Sequence, residues 1–373
     1  MDFTQLLADI SKGLTSFTWG NAVMIAVGLV LIGLAVIKEY EPVLLLPIGF
    51  GCILANIGMS SDVGMMKVLY DAGIKTELFP LLIFVGVGAM IDFTPLLAMP
   101  SMVLLGAAGQ FGIYGTLILA TLLGFPLNQA ASIGVIGAID GPTAIFVSTK
   151  LAPELLGPIA VAAYSYMSLI PIIQPPIMRL MTTKKERRIR MEYKAKPVSR
   201  TALVLFPLIV TVVISLIAPD AAPLIATLML GNLLRVSGVV DRLNKAAQNE
   251  IINIATLFLG LAIGSTMIAS SFIKLDTLMI LGLGLIAFVL DTVAGLLFGK
   301  FMAVITGGKV NPLIGACGIS AFPMAARLSA RMAQEEDFDN YILMHAMGSN
   351  TAGQLGSVIA GGLLLAIVSG MIA

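Results

Sequence analysis

Asp140 stands in the run Gly134-Val-Ile-Gly-Ala-Ile-Asp-Gly-Pro-Thr-Ala144, an apolar stretch with a single acid. The Gly141-Pro142 pair beside it cannot continue a regular helix. A carboxylate in hydrocarbon costs about 2.5–3.5 kcal/mol on insertion scales, which marks it as a functional candidate. A small hard cation wants oxygen ligands, and a carboxylate beside freed backbone carbonyls supplies both charge and coordination. The other reading is that Asp140 faces a water-filled mouth and merely caps a half-helix. A second run, Asn311-Pro-Leu-Ile-Gly-Ala-Cys-Gly-Ile-Ser-Ala-Phe-Pro323, brings neutral oxygens from Asn311 and Ser320. Ser320 has the alternative of bonding a carbonyl one turn back in its own helix. Asn350, in Gly348-Ser-Asn-Thr-Ala-Gly353, is a further oxygen donor in a Gly-rich apolar stretch.

Arg327 and Arg331, one helical turn apart beyond the second run, can fork a carboxylate or else snorkel to an interface. Tyr164 and Tyr166 offer phenols, although a phenol at a membrane boundary also serves as an aromatic belt. Asp291 is a second acid within an apolar run, 287–297.

The elements that must position these groups are membrane helices. Of 373 residues 58% are hydrophobic and only 12% charged, too little polar surface for a soluble domain. Apolar stretches recur along the chain, and about ten full crossings plus re-entrant pieces are expected. The fold class is all-α, a polytopic helical membrane protein with broken or re-entrant helices. Gly134, Gly137, Pro142, Ala144, Ser148, Lys150 and Ala152 recur 181 residues later as Gly315, Gly318, Pro323, Ala325, Ser329, Arg331 and Ala333. Corresponding Gly/Pro-interrupted segments in two halves point to the substrate site of a transporter, and inverted repeats are the expected arrangement. The repeat is asymmetric, because Ala321 occupies the position of Asp140.

Four regions follow: an amphipathic N-terminal segment over 1–20, a first membrane half over 21–181, a basic loop over 182–200 and a second membrane half over 201–373. The first residues do not read as a cleavable signal, since Asp2 and Asp9 stand where an early basic cluster belongs. A loop that basic stays cytoplasmic. Counting outward from it, with 133–147 taken as a crossing, Lys67, Lys75, Arg235, Arg242, Lys245 and Lys300 fall on the same side. A net charge of +1 provides no field to attract nucleic acid. A single histidine, His345, argues against an imidazole-built metal centre, and two isolated cysteines make no disulfide framework. No phosphate-binding loop is present, so ATP is not a recognisable energy source.

The stretches Ile139-Asp-Gly-Pro-Thr-Ala-Ile-Phe146, Asn311 to Arg327 and Met347 to Gly361 resemble the β subunit of the sodium-translocating, biotin-dependent decarboxylases. That family serves oxaloacetate, methylmalonyl-CoA and glutaconyl-CoA decarboxylases. The resemblance implies a translocase-class enzyme subunit in a bacterial or archaeal cytoplasmic membrane. It implies decarboxylation of carboxybiotin coupled to sodium export, within an oligomeric complex. The partners it implies are a biotin carrier subunit, a carboxyltransferase alpha subunit and a small membrane gamma or delta subunit. Met66-Lys67 is not read as the biotin site, because that motif works on a turn of a small soluble barrel.

The resemblance also carries site residues: Asp140, Tyr166, Asn311, Gly315, Ser320 and Arg327, with Asn350 also implicated. The tyrosine rests on spacing from Asp140, and Tyr164 lies close by. On this reading Asp140, Asn311, Gly315, Ser320 and Asn350 hold sodium, Arg327 holds the carboxylate of carboxybiotin, and Tyr166 or Ser320 relays a proton. The rival from another class is a sodium/proton antiporter with no enzymatic role, which would show the same intramembrane acid and broken helices.

Overall fold

The computed structural model describes residues 17–193 and 197–372. The amphipathic segment expected at the N-terminus falls almost wholly outside them, as do Lys194 and Lys196 of the basic loop. Among the described residues the chain is helical and contains no strand.

The first half holds α1 (Trp19–Ile37), α2 (Pro42–Asn56), α3 (Leu78–Met90), α4 (Met102–Ala108), α5 (Phe111–Leu122), α6 (Leu127–Gly134), α7 (Gly141–Leu151) and α8 (Leu156–Met181). The second holds α9 (Arg200–Ile217), α10 (Ala222–Ser237), α11 (Ile252–Gly264), α12 (Leu275–Ile305), α13 (Met324–Glu336) and α14 (Leu343–Ile372). Seven helical stretches are long and apolar enough to cross a membrane, and the bent pair Gly64–Ile74 with α3 makes an eighth. That is fewer than the ten or so expected. The difference lies in α2 and α10, which at fifteen and sixteen residues are about 22 and 24 Å long, and in the two Gly/Pro-interrupted runs, which are half-helices.

Small residues hold the helices together, as expected where lipid removes the hydrophobic drive between them. A Cβ on Gly88 of α3 would sit 1.9 Å from the Leu228 carbonyl of α10, and one on Gly231 would sit 2.0 Å from the Val85 carbonyl. Gly28 and Gly49 join α1 to α2 in the same reciprocal way. In α9, by contrast, only Pro207 is fully buried, and the helix meets the core through the partly buried Phe206, Val210 and Ile214.

Both interrupted runs are re-entrant. The first is α6, a tight turn over Val135–Ala138, a break at Ile139–Asp140, then α7. Its two ends meet: Asn128 Nδ2 donates to the Leu151 carbonyl at 2.9 Å, and Gln129 Nε2 to Glu154 at 2.9 Å. The second is a turn over Pro312–Cys317, a break, then α13, and both its ends lie on Arg187. Asn311 Nδ2 donates to the Arg187 carbonyl at 2.9 Å, and the Arg187 guanidinium pairs with Glu336 at 2.5 Å.

Re-entry corrects the sidedness expected above. Helix α8, 26 residues and about 39 Å long, carries the chain from Glu154 to the basic loop, so these two mark opposite faces. Lys300 lies with the basic loop through its ion pair with Glu186, and the end of α10 that carries Arg235 does so through Ser237, whose carbonyl accepts from Arg200 at 2.8 Å. Lys67 and Lys75 instead border a polar pocket with Glu154, Asp71 and Thr266 on the opposite face. Counting 133–147 as a crossing had added one span too many, and one span inverts the sidedness of everything before it. Cys52 and Cys317 are buried, so introduced thiols report cleanly. Lys75→Cys and Lys245→Cys should react with a membrane-impermeant maleimide from opposite faces in oriented vesicles. Labelling from the same face would overturn the re-entrant first segment.

Candidate functional site

The break in the first run aims Asp140. Ile139 adopts the left-handed region (φ 51°), Asp140 is extended, and Gly141 with Pro142 then starts α7. Asp140 precedes α7 as its cap residue and is only 6% exposed, so it is not a group in open water. Its Oδ2 accepts three hydrogen bonds: from Thr143 Oγ1 at 2.9 Å, Gln354 Nε2 at 2.9 Å and Ser357 Oγ at 3.1 Å. No side-chain donor reaches Oδ1. Two of the three donors come from α14 in the second half, so the carboxylate joins the halves.

Asp140 lines a cavity of about 330 Å³ with Tyr164, Ser320, Gln354 and Glu41. The lining extends to Met90 and Gln248, at helix ends on the basic-loop face. Tyr164 is 1% exposed, and a Cβ on Gly141 would lie 1.9 Å from its ring, so the phenol packs directly on the break. The Tyr164 hydroxyl has no hydrogen-bond partner.

The two breaks touch. Ser320 Oγ donates to the Ala138 carbonyl at 2.5 Å rather than to a carbonyl of its own helix. Asn350 Nδ2 donates to the Ile319 carbonyl at 2.6 Å, and its Oδ1 is buried without a partner. Gln110 Nε2 reaches the Gly318 carbonyl at 3.1 Å, and Gln174 Nε2 the Ala316 carbonyl at 2.8 Å. Irregular backbone at membrane depth is thus satisfied by side chains, three of the four from the opposite half.

Not every expected site residue joins Asp140. The amide of Asn311 is spent on the basic loop, donating to the Arg187 and Ile189 carbonyls, while its Oδ1 caps Leu313. Gly315 serves close packing: a Cβ there would lie 2.0 Å from the Gly295 carbonyl, and its own carbonyl accepts Gly318 N–H. Tyr166 donates to the Leu281 carbonyl of α12, and Tyr164, two residues earlier, takes the place at the cavity. Arg327 is exposed on α13 and does not line the cavity. Asp291 is buried in α12, where Oδ1 accepts Gly112 N–H at 2.5 Å and Oδ2 has no partner.

Residues 20–368 match the family model described as the Na+-transporting oxaloacetate decarboxylase beta subunit. The chain belongs to this family. It is 53% identical over 370 residues to the glutaconyl-CoA decarboxylase subunit beta of Acidaminococcus fermentans, covering 98% of each chain. It is 53% identical to the methylmalonyl-CoA decarboxylase subunit beta of Veillonella parvula, covering 96% of each. Identity to the oxaloacetate decarboxylase beta chain of Klebsiella pneumoniae is 45%, covering 96% of this chain and 98% of that one. Family membership agrees with the multi-pass helical architecture.

Among the described residues no group of three or more His, Cys, Asp or Glu side chains is placed to hold a metal ion. The donor set at the cavity is one carboxylate with hydroxyls and amides, which suits a hard, weakly held cation. Thr143, Gln354 and Ser357 were not singled out from sequence. A signal existed, since Asn350, Gln354 and Ser357 are spaced to share one face of α14. Because each donor to a buried carboxylate contributes about 1.5–3 kcal/mol, Ser357→Ala should weaken sodium binding by about tenfold or more. The readout is the sodium-dependent rise in thermal midpoint of the purified protein, which should require correspondingly more sodium. An unchanged sodium dependence would remove Ser357 from the site.

Proposed function

We propose that this chain decarboxylates carboxybiotin and uses the reaction to export sodium, with the Asp140 cavity as the place where the two meet. The observation that carries the reading is the buried Asp140 carboxylate, held by three side-chain donors at a helix break and lining a cavity toward the basic-loop face. Family membership supplies the class: a membrane subunit of a multisubunit, sodium-transporting decarboxylase. The partners that fit are a biotin carrier subunit, a carboxyltransferase alpha subunit and a small gamma or delta membrane subunit.

In this reading Asp140 provides the charge for sodium, and Ser320 and the carbonyls of the two breaks provide neutral oxygens. A volume of about 330 Å³ lies within the usual range for a small-molecule site. Arg327, exposed on the helix leading out of the second break, is available to hold a carboxylate arriving from the cytoplasm. Cleavage of the bond between the biotin nitrogen and the carboxyl carbon releases carbon dioxide and leaves the nitrogen needing a proton. Tyr164, whose hydroxyl is unpartnered at the cavity wall, is the better-placed donor than Tyr166.

The reading extends to the repeat. We take the two halves as inverted, because one re-entrant segment closes at Glu154 and the other at the basic loop. Loss of the substrate's charge removes part of what holds sodium in a cavity open to the cytoplasm, and the site then opens outward. Moving one charge against the potential costs about 2.3 kcal/mol per 100 mV.

The test is the complete complex in liposomes, following carboxybiotin consumption and sodium uptake together. Asp140→Asn keeps the shape and removes the charge, so both activities should fall by about two orders of magnitude. Sodium movement that ignores carboxybiotin would replace this reading with a sodium/proton antiporter.

A further inference from the structure

Asp291 is a buried acid that the transport reading does not use. It lies in α12, is 0% exposed and has a single partner: Oδ1 accepts the Gly112 N–H, while Oδ2 meets no donor. An unpaired charge between apolar walls is expensive, whereas one acceptor oxygen for one backbone N–H is not. What the position supplies is an acceptor.

The N–H it serves belongs to a junction. Helices α4 and α5 form one crossing, Met102–Leu122, interrupted at Gly109 and Gln110. The first N–H groups of a helix have no acceptor within it, and here they fall at membrane depth. Ile113 N–H finds the Gln110 carbonyl at 3.2 Å, and Gly112 N–H finds Asp291. Glycine is required for that approach, since a Cβ on Gly112 would lie 2.3 Å from the Ala287 carbonyl and 2.5 Å from the Asp291 carboxyl.

This junction is wedged between the two breaks. On one side Gln110 donates to the Gly318 carbonyl, and a Cβ on Gly109 would lie 2.0 Å from that oxygen. On the other, a Cβ on Gly137 would lie 2.8 Å from the Ile113 nitrogen, and one on Gly134 would lie 2.7 Å from the Ile113 carbonyl. Gly137 belongs to the turn Val135–Ala138, whose last carbonyl accepts from Ser320.

We propose that Asp291 is a positioning residue for the Asp140 site, acting as a hydrogen-bond acceptor and not as a charge. By holding Gly112 it fixes the α4–α5 junction, and the junction sets how far apart the two breaks stand. The inference rests on reading the Asp140 cavity as a sodium site. Without the acceptor, the Gly112 N–H is left buried and unsatisfied, and the junction must shift to find another partner. Both breaks lie against the junction more closely than a methyl group would allow, so a shift there displaces the turn before Asp140 relative to Ser320. Bound sodium itself draws the two breaks together. The effect therefore falls on sodium affinity and not on turnover once sodium is bound.

The experiment measures carboxybiotin decarboxylation by the complete complex against sodium concentration. Asp291→Asn keeps an acceptor oxygen and removes the charge, and should match wild type within about twofold in half-saturating sodium and in maximal rate. Asp291→Leu removes the acceptor and should raise half-saturating sodium by roughly tenfold while the maximal rate stays within about twofold. Asp291→Ala takes its place should the leucine variant not assemble. Gln110→Leu loosens the same junction, so combining it with Asp291→Leu should raise half-saturating sodium by less than the product of the two single effects. Equal losses in Asp291→Asn and Asp291→Leu would show that the charge matters; an unchanged sodium dependence in Asp291→Leu would show that the acceptor does not. Either result overturns the proposal and leaves the Asp140 reading standing, and a fully multiplicative double variant overturns the route through the junction. If wild-type decarboxylation ignores sodium, both readings fall.

Discussion

Oδ2 of Asp140 is the charged atom through which a break in the first half is bound to α14 of the second, and the architecture around it keeps it there. A carboxylate at membrane depth costs about 2.5–3.5 kcal/mol on insertion scales, while each hydrogen bond to a charged group returns about 1.5–3 kcal/mol. The three donors on Oδ2 offset part of that cost and fix the group's position. One donor, Thr143, comes from the helix the break itself starts, and the other two from α14. Only a break in the first half facing an unbroken helix of the second can assemble such a set. Leaving Oδ1 without a side-chain donor keeps the charge available on one side.

The breaks impose a second demand, which is to satisfy backbone carbonyls where water does not reach. Side chains of each half answer for the other: Ser320 binds Ala138, while Gln110 and Gln174 bind Gly318 and Ala316. Glycine makes this possible by close approach. A Cβ on Gly109 would lie 2.0 Å from the Gly318 carbonyl, and one on Gly353 would lie 2.5 Å from it. The Ser320 bond to the Ala138 carbonyl joins one break directly to the other, while Gln110 and Gln174 hold the second break from neighbouring parts of the first half.

The sequence made the break at Gly141-Pro142 and the acid beside it legible, because a helix-stopping pair in an apolar run has few explanations. The partner break was legible through the 181-residue offset. Spans were over-counted because hydropathy does not distinguish a crossing from two half-helices that turn back, and the side of Lys67 and Lys75 went wrong with that count. The choice of Tyr164 over Tyr166 depends on which phenol packs on Gly141, a contact that spacing along one helix does not decide. Asn311 looked like a cation ligand by type, yet its amide is consumed by two loop carbonyls, a pairing visible only in three dimensions.

That pairing gives the basic loop a mechanical meaning beyond sidedness. Asn311 and Asn340 both donate to the Arg187 and Ile189 carbonyls, one from each end of the second re-entrant segment. Arg187 pairs with Glu336, and Arg190 pairs with Asp337 at 2.6 Å. The Arg190 hydrogen bond holds the Asp337 carboxyl below the usual range, so the clamp persists at neutral pH. These arginines are thus engaged with the chain itself, and the loop acts as a strap across the outer ends of the second re-entrant segment. The open end of the first re-entrant segment is tied differently, by Gln129 to Glu154, Asn128 to Leu151 and the ion pair of Lys150 with Glu77. The two re-entrant segments are therefore anchored at opposite faces, the second by a charged strap and the first by amides and one ion pair, and they meet where Ser320 binds the Ala138 carbonyl.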